Sequence, residues 1–173
     1  MRVYGGGAYP AYLIDAETLR EELLSEEDTR EWLAEVPDDP HATTFWRMLG
    51  ELDRAVDVGQ QQLDEREPGT ADWAAAAVRL AHAHHWREEY AEAHELLSAA
   101  EEVFGASGEG GAADEQLLAF VWQHRAKVFF DEGRLAEARA DASRALETRR
   151  RIGADEGAVA SSEETLSRIE REL

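Results

Sequence analysis

Several residue types are missing or scarce in this chain of 173 residues. It has no cysteine, which excludes disulfides and thiolate metal sites such as the Cys-containing zinc modules. No apolar run approaches the roughly 18–20 residues that a membrane-spanning helix needs. The opening MRVYGGGAYPAYLI also lacks the apolar stretch of a secretory signal. We therefore expect a cytoplasmic protein that does not enter a membrane.

Positive charge is also scarce. Lys and Arg number 18 against 38 Asp and Glu, the formal net charge is −20, and Lys127 is the only lysine. Nucleic acid and anionic membrane surfaces are poor partners for such a chain, because binding a polyanion requires clustered cations. Asparagine is absent too, and this absence, together with the preference for Arg over Lys, indicates a GC-rich and hence bacterial genome.

The apolar residues that are present follow a helical pattern. They make up 43% of the chain, enough to bury a core, and they recur at spacings of three and four within alanine-rich segments. No segment alternates like a strand. The sequence therefore predicts an all-α fold.

A set of offsets recurs in the middle of the chain. Each copy begins with a small residue, continues with a ring one turn later, and then reaches a turn residue, an apolar residue and further small residues. The copies are Ala126, Phe129, Gly133, Leu135, Ala138 and Ala145; Ala81, His84, Glu88, Tyr90, Ala93 and Ala100; and Thr43, Trp46, Gly50, Leu52, Ala55 and Gln62.

A helix hairpin accounts for this spacing. Small residues such as Ala81 and Ala126 allow a second helix to cross closely, and the following ring fills the space beside the crossing. Gly50 and Gly133 fall where a helix end favours a left-handed residue, so that the chain can reverse. Because one hairpin cannot bury its own apolar face, such units stack.

The stretch FVWQHRAKVFFDEGRLAEARADASRAL (120–146) resembles a nearly complete tetratricopeptide repeat. The copy at 74–107 departs from the family pattern at His84 and Glu88, and the copy at 38–65 has a first helix shortened by Pro37 and Pro40. The resemblance implies a right-handed α–α superhelix of about three helix hairpins, with short N-terminal helices and a C-terminal capping helix.

One domain, 1–173, is expected. The first part is either a disordered arm or a segment that folds back onto the stack through its tyrosines. Two cap helices follow at 16–24 and 26–35, with Asp15 and Ser25 as their N-cap residues. The parts are an arm (1–14), cap helices (15–36), repeat 1 (38–65), repeat 2 (70–104), a flexible loop (105–113), repeat 3 (114–152) and a capping helix (155–173).

The resemblance places the first helix of each hairpin along an inner, concave surface. From this register we predict a peptide-binding groove formed by Arg47, Arg79, His82, His85, Trp86, Gln123, His124, Lys127 and Phe130. His41, Thr44 and Met48 occupy matching positions in the first repeat, whereas His84 is expected in the core. This surface gathers cations in an otherwise acidic protein, which favours an anionic ligand; alternatively, these charges are solvated or paired with acids of neighbouring helices.

The family commonly grips peptides with asparagine, which this chain lacks. Arg79, Gln123 and Lys127 are the candidate replacements, and the histidines are weaker donors whose grip would strengthen below about pH 6.5. The expected function is a non-enzymatic adaptor that binds an anionic or C-terminal peptide segment of a protein partner. The alternative is a self-assembling module, such as a homodimer, that seals exposed Met48, Trp86 and Phe130.

Catalytic and metal sites are not favoured by the sequence. His82, His85 and His124 could share a zinc ion, but Arg79 and Lys127 would repel it, so no metal or cofactor is expected. No serine lies in a nucleophile elbow, and the early glycines lack the Lys-Ser/Thr of a phosphate loop. The run of arginines at 149–151 is interpreted as a helix C-terminal cap.

Overall fold

The computed structural model describes residues 2–106 and 112–173. Within these residues the chain is mostly helical, with a small β-sheet before the helices. The strands are β1 (Tyr4–Gly6), β2 (Tyr9–Ile14) and β3 (Glu21–Leu23). The helices are α1 (Glu26–Glu35), α2 (Ala42–Met48), α3 (Leu52–Asp64), α4 (Ala71–Trp86), α5 (Tyr90–Ala106), α6 (Ala112–Asp131), α7 (Leu135–Arg151) and α8 (Glu156–Glu170).

Six of these helices form three sequential pairs. Helix α2 packs against α3, α4 against α5, and α6 against α7. The first pair lies within predicted repeat 1, whereas α5 extends two residues past repeat 2 and α6 begins two residues before repeat 3. Short turns join the members of each pair, so the helices run antiparallel. Helices α2, α4, α6 and α8 also touch in that order. We call them the inner helix layer, since the candidate site lies against them.

Close helix approach depends on small residues at the positions that the offsets indicate. Ala81, Ala93, Ala126 and Ala138 are completely buried. Gly59 of α3 lies so near α2 and α4 that a Cβ atom there would be 3.0 Å from Leu80 Cδ1 and 3.0 Å from Thr43 Cγ2. The pairs therefore pack through backbone-to-side-chain contacts that larger residues would prevent.

The chain reverses at a left-handed residue within each pair. Gly50, Glu88 and Gly133 have φ angles of 75°, 63° and 74°. Their amides donate hydrogen bonds to the backbone carbonyls of Arg47, His85 and Phe130 respectively, as in a helix C-terminal turn.

The three-stranded sheet corrects the expectation of a chain without strands. Its order is β1-β2-β3, all antiparallel. Gly6 and Gly7, with φ of 86° and 69°, turn the chain between β1 and β2. Residues 2–14 are therefore ordered and fold back onto the helices, which was the second of the two expectations for this segment. Residue 1 lies outside the described part.

The expected helix at 16–24 is also wrong. Asp15 Oδ1 accepts hydrogen bonds from the amides of Glu17 and Thr18, but these bonds close a turn that leads into β3. An aspartate that can begin a helix can equally close such a turn. Helix α1 does begin after Ser25, whose Oγ accepts from the amide of Asp28.

The predicted flexible loop at 105–113 is partly wrong. Positions 105–106 belong to α5 and positions 112–113 to α6, and the rest of the predicted loop lies outside the described residues. Among the helices of the described ranges, none is both long and apolar enough to cross a membrane.

Candidate ligand-binding cavity

A cavity of about 370 Å³ lies between the sheet and the inner helix layer. Tyr4, Tyr12 and Ile14 line it from the sheet, and residues of α2, α4, α6 and α8 line the remaining walls. Most of the predicted groove positions border this cavity, namely His41, Thr44, Arg47, Met48, Arg79, His82, Gln123, His124 and Lys127.

A buried carboxylate from the sheet occupies the centre of this region. Glu21 Oε2 accepts a 2.8 Å hydrogen bond from Arg47 Nη1, and Glu21 Oε1 accepts a 3.1 Å bond from Lys127 Nζ. The three side chains are between 2% and 7% exposed. Burial alone would raise the pKa of Glu21, but Arg47 and Lys127 hold it well below its usual range. The predicted cations therefore bind a carboxylate, and it belongs to the same chain.

Two neutral histidines adjoin this ion-paired centre. The rings of His82 and His124 are 4.3 Å apart and meet edge to face. Burial lowers the pKa of each well below its usual value, and Arg47 and Lys127 lower both further. His82 Nε2 and His124 Nδ1 are buried and have no hydrogen-bond partner among the described residues, although Glu21 Oε2 lies 3.9 Å from His82 Nε2. The expectation that these rings gain charge just below pH 6.5 is therefore wrong.

Arg79 lines the cavity from α4 and differs from the other cations. Within the described part of the chain, its guanidinium has no hydrogen bond and no ion pair. Burial and the nearby Arg66 lower its pKa, yet a guanidinium stays protonated at neutral pH. Arg79 therefore offers the cavity a positive charge that Asp39 and Asp72 attract only at longer range, with no ion pair among the described residues.

Side chains at the far end of the cavity are bonded to α8. Gln123 Nε2 donates to Thr165 Oγ1 at 2.6 Å, and its Oε1 accepts from Ser162 Oγ at 2.9 Å. Arg149 Nη1 donates to Ser162 Oγ at 2.7 Å and to the carbonyl of Ala158 at 2.9 Å. The amide of Gln123 is thus engaged by the protein itself, so it does not serve as the expected peptide clamp.

Three predicted groove residues lie outside the cavity. His85 is buried and its Nε2 is 2.9 Å from Asp131 Oδ2. The indole of Trp86 lies between two guanidinium groups, with Arg47 at 4.4 Å and Arg20 at 5.2 Å from the ring centroid.

Phe130, the third of these residues, packs with Leu166 and Ile169 and lies under the guanidinium of Arg168. His84, expected in the core, is 14% exposed and bonds to Glu89 at 2.6 Å.

The arrangement of the histidines bears on metal binding. His82 and His85 stack with ring centroids 5.6 Å apart, but Asp131 occupies Nε2 of His85 and the cations Arg47 and Lys127 stand beside His82. Over residues 2–106 and 112–173, no group of three or more His, Cys, Asp or Glu side chains is placed to hold a metal ion.

Sequence reasoning missed Glu21 and Arg149. Glu21 is one of many acidic residues, and only the fold of the sheet distinguishes it from exposed Glu22. Arg149 was assigned with its two neighbours to a helix cap, whereas its side chain is 5% exposed and borders the cavity. The apolar spacing of α7 offers a signal, because Arg149 follows Ala138, Ala142, Ala145 and Leu146 on the buried face.

Comparison of the chain with family models, with curated proteins and with solved structures gives no match. The resemblance to the tetratricopeptide repeats thus stays a prediction.

Proposed function

We propose that this chain is a non-enzymatic binding module of the tetratricopeptide type, with its helix pairs arranged as a short right-handed superhelix. Its inner helix layer binds an anionic group of a protein partner, either an acidic side chain or a C-terminal carboxylate. An adaptor or regulatory role in the bacterial cytoplasm agrees with this activity and stays a prediction.

The observation that carries this proposal is the binding of Glu21. Arg47 belongs to α2 and Lys127 to α6, yet both reach one carboxylate that a short strand supplies. The inner helix layer is thus built to hold an acid from a segment packed against it. Charge-assisted hydrogen bonds of this kind are stronger than neutral ones.

The space beside Glu21 accommodates a further acidic group. Arg79 borders this space with its charge unpaired among the described residues, and the tyrosines and Phe120 provide apolar walls. A volume of about 370 Å³ is at the small end of the range for ligand pockets. It suits one or two residues of a partner better than a long segment.

The self-assembly alternative lacks similar support. Met48, Trp86 and Phe130 were its candidate contact residues, and all three are partly buried against their own chain. A homodimer remains a prediction without a candidate surface, so we retain binding of an anionic partner as the proposal.

An acidic peptide with a free C-terminal carboxylate tests the proposal. The Arg79→Glu variant should bind such a peptide at least about tenfold more weakly in fluorescence anisotropy, because a charge-assisted bond is replaced by repulsion. The unfolding midpoint is measured alongside to show that the variant is folded, since Arg79 is partly buried and a Glu there would face Asp39 and Asp72. Lys127 is unsuitable for this test because its removal would leave Glu21 buried without one of its partners.

Arg150→Glu is the matched control. Arg150 lies on α7, is 58% exposed and pairs with Glu163 away from the cavity. If the peptide binds the wild type, Arg79→Glu and Arg150→Glu proteins equally, or binds none of them, the proposed function fails.

A further inference from the structure

The cavity carries more positive than negative charge. Its lining includes four cationic side chains, Arg47, Arg79, Lys127 and Arg149, and two carboxylates, Glu21 and Asp155. Glu21 is shared by Arg47 and Lys127, and Asp155 Oδ1 accepts the amide of Ala158 at the start of α8. Among the described residues, Arg79 and Arg149 have no carboxylate within ion-pair distance, although Asp39 and Asp72 attract Arg79, and Asp155 attracts Arg149, at longer range.

Arg149 is the more unusual of these two cations. It is 5% exposed, its Nε atom is buried without a hydrogen-bond partner, and its Nη1 atom donates only to a carbonyl and a hydroxyl. Burial lowers its pKa to about 10, so the group is still charged at neutral pH. Asp155 attracts this charge at longer range but forms no ion pair with it, and a buried charge that is incompletely paired is costly unless a ligand completes the pairing.

The first turn of α8 lies beside Arg149. Gly157 and Ala158 of this turn line the cavity, and so does the N-cap residue Asp155, whose carboxylate already accepts from the amide of Ala158. Amides of a first helical turn carry partial positive charge and have no partner within the helix. The guanidinium of Arg149 and the amides that Asp155 does not cap therefore suit this end of the cavity to a carboxylate.

Arg79 belongs to the opposite wall. It projects from α4, whereas Arg149 is bonded to α8, and both α4 and α8 pack against α6. Phe120 and His124 of α6 also line the cavity, with their ring centroids 4.3 Å apart. The cavity thus combines an aromatic surface with cationic groups from two different helices.

We propose that this cavity binds a dicarboxylate, with one carboxylate paired with Arg79 and the other held by Arg149 and the first turn of α8. The inference rests on the proposed function, since it assigns the charge of the ligand at the same site. The dicarboxylate is either a free small molecule or the C-terminal Glu or Asp of a partner, which carries a side-chain and a main-chain carboxylate on one residue.

Isothermal titration of the full chain with succinate, glutarate and adipate tests this inference, with butyrate as the monocarboxylate reference. At least one of the dicarboxylates should bind about tenfold or more tightly than butyrate. Arg79→Gln and Arg149→Gln should each weaken that binding about tenfold, because each removes one charge-assisted contact. Arg150→Gln, an exposed neighbour of Arg149, should not change it.

The inference can still be tested if the Arg149→Gln variant does not fold. If Arg149→Gln unfolds, Arg149→Lys keeps the charge and should retain most of the affinity, and Arg79→Gln tests the other wall. The inference is overturned if no dicarboxylate binds more tightly than butyrate, or if the Arg79→Gln protein binds it as the wild type does.

Peptides distinguish the two sources and separate this inference from the proposed function. A peptide that ends in Glu and loses affinity both on amidation and in Arg149→Gln supports the partner's C-terminus, whereas tight binding of free glutarate alone supports a small molecule. Peptide binding that depends on Arg79 but not on Arg149 overturns the dicarboxylate inference and leaves the proposed function standing.

Discussion

Glu21 stands between cations from two different helix pairs, Arg47 of α2 and Lys127 of α6. Such a buried ion pair adds little net stability compared with apolar packing, but removal of one partner leaves an uncompensated charge and costs roughly 3–5 kcal/mol. The folded pKa of Glu21 lies below its unfolded value. Its contribution is therefore complete above about pH 4.3 and is lost only as the pH falls further.

The buried histidines affect stability at a higher pH than Glu21 does. Burial lowers the pKa of His82, His85 and His124, so the folded protein holds them neutral where the unfolded chain would protonate them. Stability should therefore be highest above about pH 6.5 and fall as the pH decreases, by up to about 1.4 kcal/mol per pH unit for each histidine. Urea unfolding at a series of pH values measures this slope.

The His124→Gln variant tests the assignment of that slope. It should reduce the dependence of the unfolding free energy on pH between about 6.5 and 5, since one buried group no longer takes up a proton on unfolding. A slope equal to that of the wild type would show that His124 is accessible to protons in the folded state.

At the level of residues, the sequence indicated where the cations lie but not what they bind. The offsets from Ala81 and Ala126 placed Arg79, His82 and Lys127 on one surface, and all three line the same cavity. The partner carboxylate could not be predicted, because 38 acidic residues offer no local signal for the one that is buried. The neutral state of the histidines depends on burial under the sheet, which was not foreseen.

The elements differ in how strongly their sequences specify them. The helix pairs follow from long periodic segments, small residues at the crossings and residues that turn the chain between them. Strands β1 and β3 have three residues each, too few to show alternation, and the six residues of β2, YPAYLI, do not alternate because they are nearly all apolar. Such a small sheet depends on packing against helices for its stability, so its signal lies in tertiary contacts that no local pattern contains.

Glu88 permits a test of the turns between paired helices. It adopts φ of 63° where Gly50 and Gly133 occupy the equivalent positions. Because a left-handed conformation costs a residue with a side chain roughly 1–2 kcal/mol, we expect Glu88→Gly to increase the unfolding free energy by about 1 kcal/mol. Chemical denaturation of both proteins measures the difference.

Gly133→Ala is the matched control for this turn. The residue has φ of 74° and an added Cβ would meet no atom within 4 Å, so any loss of stability reflects the backbone conformation alone. We expect a decrease of about 1 kcal/mol. A Glu88→Gly protein that is no more stable than the wild type would contradict the equivalence of the three turns.

Charge is distributed unevenly over the whole molecule. The net charge is −20, yet the cavity is lined by four cations and two carboxylates. Low dielectric inside the cavity strengthens attraction to an anion, while the acidic exterior keeps the molecules apart. The sheet completes this arrangement, since it closes one wall of the cavity and supplies Glu21.

Glu21 joins the sheet to two helix pairs of the inner helix layer through one shared carboxylate. A double-mutant cycle with Glu21→Gln, Lys127→Met and the combined variant measures this contact between residues 106 positions apart. Unfolding free energies should show a coupling of more than about 1 kcal/mol, with the double variant more stable than the sum of the single losses predicts. Additive losses within about 0.3–0.5 kcal/mol would contradict the account.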